Sequence, residues 1–359
     1  LKDYSKNLNN IIFHRLLGTM EEKVERIKGL IKLYGNNFAV DKSLALLSAE
    51  LAKADLCSEV VYEMPELQGI IGSRYAEEEG LDKKVVLAIK EHYSPVGPSD
   101  KCPSLPESSL LAFIDKFDSL VGFMAIDLKP TGSKDPFGIR RSSLGIIRII
   151  LENNIRISLS DIITNSYNEY SKQNYKLTVS QKDCINIVIN FIIERLKVYL
   201  RDLGINQSCI LSVCNLKSND DIFDAMNRIQ VLEGFIMTNN GKVFIQSLKR
   251  VRRILEIEEK KDKKKFDGKI NTKLFKEKEE LELYKYFNEV NKKTESLLMN
   301  KNYQEAMMLF SKIDKKLEHF FEKVQVNAGE KKLRENRLNI LSSIRKTFIN
   351  FADFSLIDI

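Results

Sequence analysis

Through the first 125 residues, short polar breaks separate stretches in which apolar residues recur every three or four positions. Residues 20–33 place Val24, Ile27, Leu30 and Ile31 on one helical face. Asp41 stands where an N-cap belongs, ahead of Leu44, Leu47, Leu51 and Asp55 at three- and four-residue steps. That column sets a carboxylate on an apolar face, where it needs a partner. A later helix carries Phe113, Ile114, Phe117 and Leu120, with Asp115 and Asp118 three apart. Next comes turn chemistry at Pro130-Thr131-Gly132-Ser133. Asp135-Pro136 then reads as an N-cap followed by proline at the first helical position. Phe137, Leu144, Ile147 and Ile150 follow at helical spacing, with Arg140, Arg141 and Arg148 off or beside the stripe. These arginines read either as a solvated basic face or as a rigid shoulder for phosphate or a partner subunit.

Helical periodicity continues to the end of the chain. Ser158 to Asp161 caps one helix, and 183–200 carries Ile185, Val188, Ile189, Ile192 and Leu196. Residues 206–213 have too few apolar positions to separate helix from strand. Helices follow over 220–232 and 242–255, where Lys249, Arg250, Arg252 and Arg253 cluster. That cluster is compatible with a solvated face or with contact to an RNA backbone. Residues 256–282 are low-complexity, nine lysines against nine carboxylates, which reads as a mobile linker or solvated helix and a domain boundary. Amphipathic helices over 284–298, 303–321 and 331–351 complete the chain. On the last, Leu333, Arg337, Ile340, Leu341, Ile344, Phe348 and Phe351 form the stripe. Arg337 is therefore expected to be structural, with Asp353 as a partner, whereas Arg334 and Arg345 lie off the stripe and are freer to meet RNA. The expected organisation is all-α: a helical bundle over 1–150, a helical middle region over 151–255, a charged linker over 256–282 and a second bundle over 283–359.

Composition narrows the function classes. The chain has 359 residues, enough for two or three cored domains, and a net charge of +7, which permits RNA binding without requiring it. No apolar run is long enough to span a bilayer and no signal-peptide pattern opens the chain, so a soluble cytoplasmic protein is expected. Cysteines 57, 102, 184, 209 and 214 include no CxxC pair and are expected as reduced thiols, not zinc ligands.

Several segments together carry a family resemblance. KADLCSEVVYEMPELQGIIGSRYA (53–76), EHYSP (91–95), IDKFDSLVG (114–122) and KPTGSKDPFGIRRSSLGIIRI (129–149) occur in an order and approximate spacing that resemble the β subunit of bacterial heterotetrameric glycyl-tRNA synthetase. The resemblance corresponds to the C-terminal half of such a subunit, so a fragment is expected, consistent with Leu1 in place of an initiator Met. SLKRVRRIL (247–255) resembles a basic helix at this place in the family. LRENRL (333–338) with FADFS (351–355) resembles the DALR-type anticodon-binding bundle shared with arginyl- and cysteinyl-tRNA synthetases. Residues 326–330, VNAGE, depart from that pattern's hydrophobic-then-acidic turn.

The first bundle resembles the HD superfamily, whose metal site takes a His from an early helix, a His-Asp pair and a late Asp. His14, Asp55 and Asp115 fall at or near those positions, but Lys53-Ala54-Asp55 lacks the paired His. A lysine there removes a ligand and repels a cation. The resemblance thus implies an HD fold that binds no metal, with Asp55 and Asp115 in buried polar contacts, Lys53 or Lys116 being the nearby cations. It further implies a noncatalytic, tRNA-binding part of a glycine–tRNA ligase. Its partners would be tRNA-Gly and an α subunit, in an α2β2 heterotetramer, with ATP, Mg²⁺ and glycine used by that α subunit. No class I HIGH or KMSKS signature and no evident class II motif arginines occur in the chain. RNA contacts are expected from Arg140, Arg141, Lys249, Arg250, Arg252, Arg253, Arg334 and Arg345. Two other readings compete: an HD-type metal-dependent phosphohydrolase, and a helical scaffold without an RNA role.

Overall fold

A computed structural model describes residues 1–130, 135–216 and 219–358. The expected Thr131-Gly132-Ser133 turn lies outside them. The described chain is helical, apart from one antiparallel pair of short strands, β1 (Ile12–His14) and β2 (Gly18–Thr19). It forms two compact units, Leu1–Tyr199 with Asp220–Asp224, and Leu200–Asn219 with Ala225–Ile359. The division expected near 150 therefore falls elsewhere, and the middle region is not a body of its own: its helices are shared between the two units.

The first unit contains α1 (Lys2–Ser5), α2 (Met20–Tyr34), α3 (Lys42–Leu51), α4 (Glu59–Glu63), α5 (Ile70–Glu78) and α6 (Lys83–Glu91). It continues with α7 (Pro106–Ala125), α8 (Ile139–Glu152), α9 (Leu159–Lys172) and α10 (Gln181–Asp202), whose residues to Tyr199 belong here. Its centre is α7, which packs against α2, α3, α6, α8 and α9. Apart from Pro106 and Ser119, every residue of α7 is buried. A helix surrounded on all sides must be apolar nearly all round, and 110–114, LLAFI, is. Pro106 at the first turn starts the helix where its missing N–H costs nothing. Asp127, at φ +60°, ends it, while Leu128 N–H donates back to Phe123 O at 2.9 Å.

Local chemistry explains the flanking helices. Thr19 and Glu22 form a reciprocal capping box at the start of α2. Asp41 caps α3 as expected, its side chain accepting from Ser43 and Leu44 N–H. However, α3 stops at Leu51, and Asp55 sits beyond it in a 3₁₀ turn, not on the helical column. Asp135 also acts one step removed from the expected geometry. Its carboxylate accepts the N–H groups of Ile139 at 2.8 Å and Arg140 at 2.9 Å, and α8 begins at Ile139 behind Gly138 in the left-handed region. Pro136 thus precedes the helix instead of opening it.

The second unit holds α11 (Gln207–Cys214), α12 (Ile222–Ile236, from Ala225 on), α13 (Asn239–Asp262) and α14 (Lys278–Met299). It ends with α15 (Tyr303–Ser311), α16 (Asp314–Lys323) and α17 (Lys331–Lys346). The ambiguous stretch is α11, capped by the Asn206 side chain on Ser208 and Cys209 N–H. The 303–321 helix breaks at Lys312-Ile313, and the last helix ends at Lys346, short of Phe351. Phe244, Phe310 and Phe348 form an edge-on aromatic centre, with centroids 4.9–6.4 Å apart. The expected linker is not a linker. Its first residues extend α13, and Glu258, Glu259, Phe266 and Glu280 are buried. Of the cysteines, 184, 209 and 214 are buried, 57 and 102 partly so, and all are free thiols.

One close approach in the first unit depends on a glycine. A Cβ at Gly122 would lie 2.2 Å from the Tyr170 hydroxyl, which donates toward Asp118 within the core. Gly122→Ala must push Tyr170 out, and we expect a loss of about 2–3 kcal/mol in urea unfolding followed by far-UV circular dichroism.

Candidate nucleic-acid interface and buried charge cluster

Two arrangements bear on function, one in each unit. In the first, α2 presents Lys23 and Arg26 three residues apart, and α7 answers with Asp115 and Asp118 at the same spacing. The Arg26 guanidinium grips Asp118 with Nε at 2.7 Å and a terminal nitrogen at 3.2 Å. Lys23 Nζ lies 2.9 Å from Asp118 and 3.0 Å from Asp115. Lys53 Nζ closes the cluster at 2.9 Å from the other Asp115 oxygen, over the Tyr93 ring at 3.8 Å. Tyr170 and Gln173 bond Asp118 and Arg26 from α9 and the turn after it. Burial alone would raise the Asp115 carboxyl, but the Lys23 and Lys53 ammoniums hold it well below its usual range. Asp118 is likewise held low, against burial, by Arg26 and Lys23. Burial, helped by the Lys53 charge, keeps His92 neutral.

The residues at HD-type positions do not converge on one point. Asp115 meets two ammoniums, Lys53 among them. Asp55 meets neither Lys53 nor Lys116 by hydrogen bond: its Oδ2 accepts Gly69 N–H at 2.6 Å and Gly72 N–H at 2.9 Å, capping the start of α5 from outside the helix. Gly72 has room for this because a Cβ there would stand 3.0 Å from that oxygen. His14 packs edge-on to Phe123 and Phe137 and accepts Leu16 N–H at 3.3 Å. Among the described residues no three His, Cys, Asp or Glu side chains converge. Lys116 bonds Tyr93 O at 2.7 Å, and burial pushes its pKa down to about 8.

In the second unit, the carboxylates of 256–282 collect the arginines of α17. Arg337 is on the packed face as expected, but its partner is Glu280, at 2.9 and 3.0 Å, with Gln325 O at 2.8 Å. Asp353 pairs instead with Arg252. Arg334 is not free for RNA. Its guanidinium bonds Glu258, Asp262 at 2.7 Å and Asn327 at 2.9 Å, leaving the side chain only 12% exposed. Asn327, in the turn that departs from the family pattern, thereby completes this network and also donates to Glu258 at 2.6 Å. Arg345 bonds Glu259 at 2.7 Å and is 26% exposed.

The arginines of α13 that these carboxylates do not take up are Arg250 and Arg253. Arg250 and Arg253 are exposed and Lys249 half-buried; Arg253 stands three residues from Arg250 and four from Lys249, so it neighbours both on the helix surface. Among the described residues neither Lys249 nor Arg253 pairs with a carboxylate, and Arg250 lies over the Phe321 ring at 4.2 Å. Beside them opens a cavity of about 300 Å³. Lys249, Arg252 and Arg345 stand among its lining residues together with Glu256, Glu259 and Asp353, which pair with the two arginines, and Phe348 supplies apolar surface. Three of the eight expected RNA-contacting residues thus share one cavity. Arg250 and Arg253 belong to the same helix, Arg334 is spent inside the bundle, and Arg140 and Arg141 lie in the first unit. The sequence reading missed Lys23 and Arg26, although two basic residues three apart inside an apolar stripe were the available signal.

Comparison with known proteins places these features. Residues 1–215 match the family model of the glycyl-tRNA synthetase beta subunit, and residues 247–358 match the DALR anticodon binding domain. The second match starts at 247, not 283, and so takes in the basic helix and the charged segment. Together the two matches define a component of an aminoacyl-tRNA synthetase. The chain is 36% identical over 358 residues to the glycine–tRNA ligase beta subunit of Ruegeria sp. (strain TM1040), covering 100% of this chain and 50% of that one. It is 35% identical over 382 residues to that of Dinoroseobacter shibae, covering 100% and 53%. The chain spans about half the length of the curated relatives it matches, and it belongs to the glycyl-tRNA synthetase beta subunit family.

Two outcomes follow from the charge networks. Asp118→Asn leaves Arg26 buried without its carboxylate, and Lys23 with Asp115 alone, and should cost about 3–5 kcal/mol at pH 7. Because the Asp118 pKa is lowered on folding, its contribution is present above the unfolded value near 4 and lost as pH falls below it. Urea unfolding at pH 7 and pH 3 should therefore show the gap between variant and parent narrowing in acid. Arg334→Ala strands Glu258 and should lower stability by about 2 kcal/mol in the same assay at pH 7.

Proposed function

We propose that this chain is the tRNA-binding part of the β subunit of a glycine–tRNA ligase, and that its second unit engages the anticodon arm of tRNA-Gly. One observation carries the reading: the stretch matching the DALR anticodon binding domain contains the cationic patch Lys249, Arg250 and Arg253, which the acidic residues of the bundle leave uncompensated. Like charges at three- and four-residue spacing repel by a few tenths of a kcal/mol per pair, and polyanionic phosphate relieves that repulsion. The neighbouring cavity, lined by apolar side chains and by arginines paired with Glu256, Glu259 and Asp353, offers an unstacked base both apolar surface and hydrogen-bonding groups.

On this reading the chain is noncatalytic. An α subunit performs the ATP- and Mg²⁺-dependent attachment of glycine, within an α2β2 assembly in the cytoplasm. The beta-subunit names of the relatives and the family match support an assembly with another subunit. Among the described residues no helix is long and apolar enough to cross a membrane. Nothing favours the phosphohydrolase alternative, since Asp115 faces two ammoniums and Asp55 caps a helix.

Titration of a fluorescent tRNA-Gly transcript at several salt concentrations tests the reading. Lys249→Ala and Arg253→Ala should each weaken binding and lower the salt slope by roughly one if they meet phosphate. A transcript with an altered anticodon should bind more weakly to the parent. Unchanged affinity and unchanged anticodon dependence in the triple variant Lys249→Ala, Arg250→Ala, Arg253→Ala would remove the assignment.

A further inference from the structure

The first unit has a second opening that the tRNA reading does not use. A cavity of about 550 Å³ lies where α6, α7 and the start of α8 meet, within the size range of small-ligand sites. Its lining includes three cations, Lys90, Lys116 and Arg141. Two carboxylates also line it. Asp115 is already answered by Lys23 and Lys53, and Glu66 is exposed. Lys90 and Arg141 are exposed, and among the described residues neither pairs with a carboxylate. Lys116 is different in kind, for its side chain is buried at 7% exposure and has no ion pair of its own. A single hydrogen bond to Tyr93 O uses one of its three N–H groups.

The Lys116 stem is fixed in place. A Cβ at Gly145 would stand 2.6 Å from Lys116 Cε, so α8 approaches this side chain only because residue 145 is glycine. Burial makes this ammonium costly and pushes its pKa down to about 8 although the Asp115 charge works the other way, and an anion in the cavity would offset that cost. The remaining lining adds hydroxyls from Ser94 and Ser142 and partly exposed apolar surface from Ile70, Val96 and Phe137. A bare inorganic anion would leave that apolar surface and most of the volume unused. A ligand with a phosphate at one end and a flat, largely apolar body at the other would use both.

We propose that this cavity binds a nucleoside phosphate, with the phosphate held by Lys90, Lys116 and Arg141 and the base against Phe137 and Ile70. The same chemistry is offered by a free nucleotide and by a nucleotide unit of an RNA. The cavity residues all lie between 66 and 142, outside the 247–358 segment, so the proposal stands apart from the anticodon reading.

Isothermal titration of the intact chain with 5′-AMP, with adenosine and with a single-stranded pentaribonucleotide tests it. AMP should bind and adenosine should bind at least about tenfold more weakly, since a charge-assisted contact is worth about that factor or more. Arg141→Ala and Lys90→Ala remove exposed side chains and should keep the parent's thermal unfolding; each should weaken AMP roughly tenfold. Lys116→Gln should do the same. If the pentanucleotide binds more tightly than AMP and loses affinity in the same variants, RNA is the source; if AMP binds as well or better, a free nucleotide is. Three results would overturn the proposal: no binding of AMP or the pentanucleotide at millimolar concentrations, equal binding of AMP and adenosine, or variants that bind like the parent. Loss of tRNA binding in the Lys249, Arg250, Arg253 variant leaves the AMP measurement unaffected, so the two readings fail separately.

Discussion

The first unit depends on one constraint: a helix buried on every side carries two carboxylates that must find cations. Asp115 and Asp118 cannot remain charged in the core of α7 unless Lys23, Arg26 and Lys53 are all delivered to them. Relative to apolar packing, such a network adds little net stability. Its contribution is to geometry. The matched three-residue spacings on α2 and α7 admit one rotation of each helix, and turning either by a residue would bury a charge against hydrocarbon. Tyr170 reaches Asp118 through the gap at Gly122, and the Asp55 carboxylate sets α5 by the same logic.

The second unit solves a related problem with the signs exchanged. There the arginines of α17 are drawn inward, and the acids come from the end of α13 and the start of α14. Glu258, Glu259 and Glu280 each hold an arginine, and Asp353 holds Arg252. The number of cations in this part of the chain therefore overstates the charge it can offer a polyanion. Much of the arginine charge is neutralised internally, and Arg250 and Arg253 of α13 are exceptions.

Much of the helical architecture was legible because amphipathic spacing and caps are local. Asp41, Ser158 and the 20–33 stripe each state their element within a few residues. Pairing is not local. Arg337 and Glu280 are 57 residues apart, and nothing near either names the other, so Asp353 looked an equally good partner. The 256–282 segment misled for a related reason: a balanced run of lysine and glutamate has one composition whether its carboxylates face water or buried guanidiniums. Asp55 and Asp115 were placed correctly as buried polar residues, and Lys53 as a partner of Asp115. That Asp55 would bond backbone N–H groups depended on where α3 ended, and boundaries are the weakest part of any periodicity argument.

The direction of the chain gives the α7 carboxylates a further significance. Lys23, Arg26 and Lys53 are all synthesised before Asp115, the last of them by 62 residues. At ribosomal rates of roughly 5–20 residues per second, that interval is several seconds, far longer than a helix needs to form. When α7 leaves the ribosome, its cationic partners have therefore already been made. A chain with the same residues in the reverse order would expose two unpaired acids on its most apolar helix, and would have to keep that helix in solution until the cations arrived.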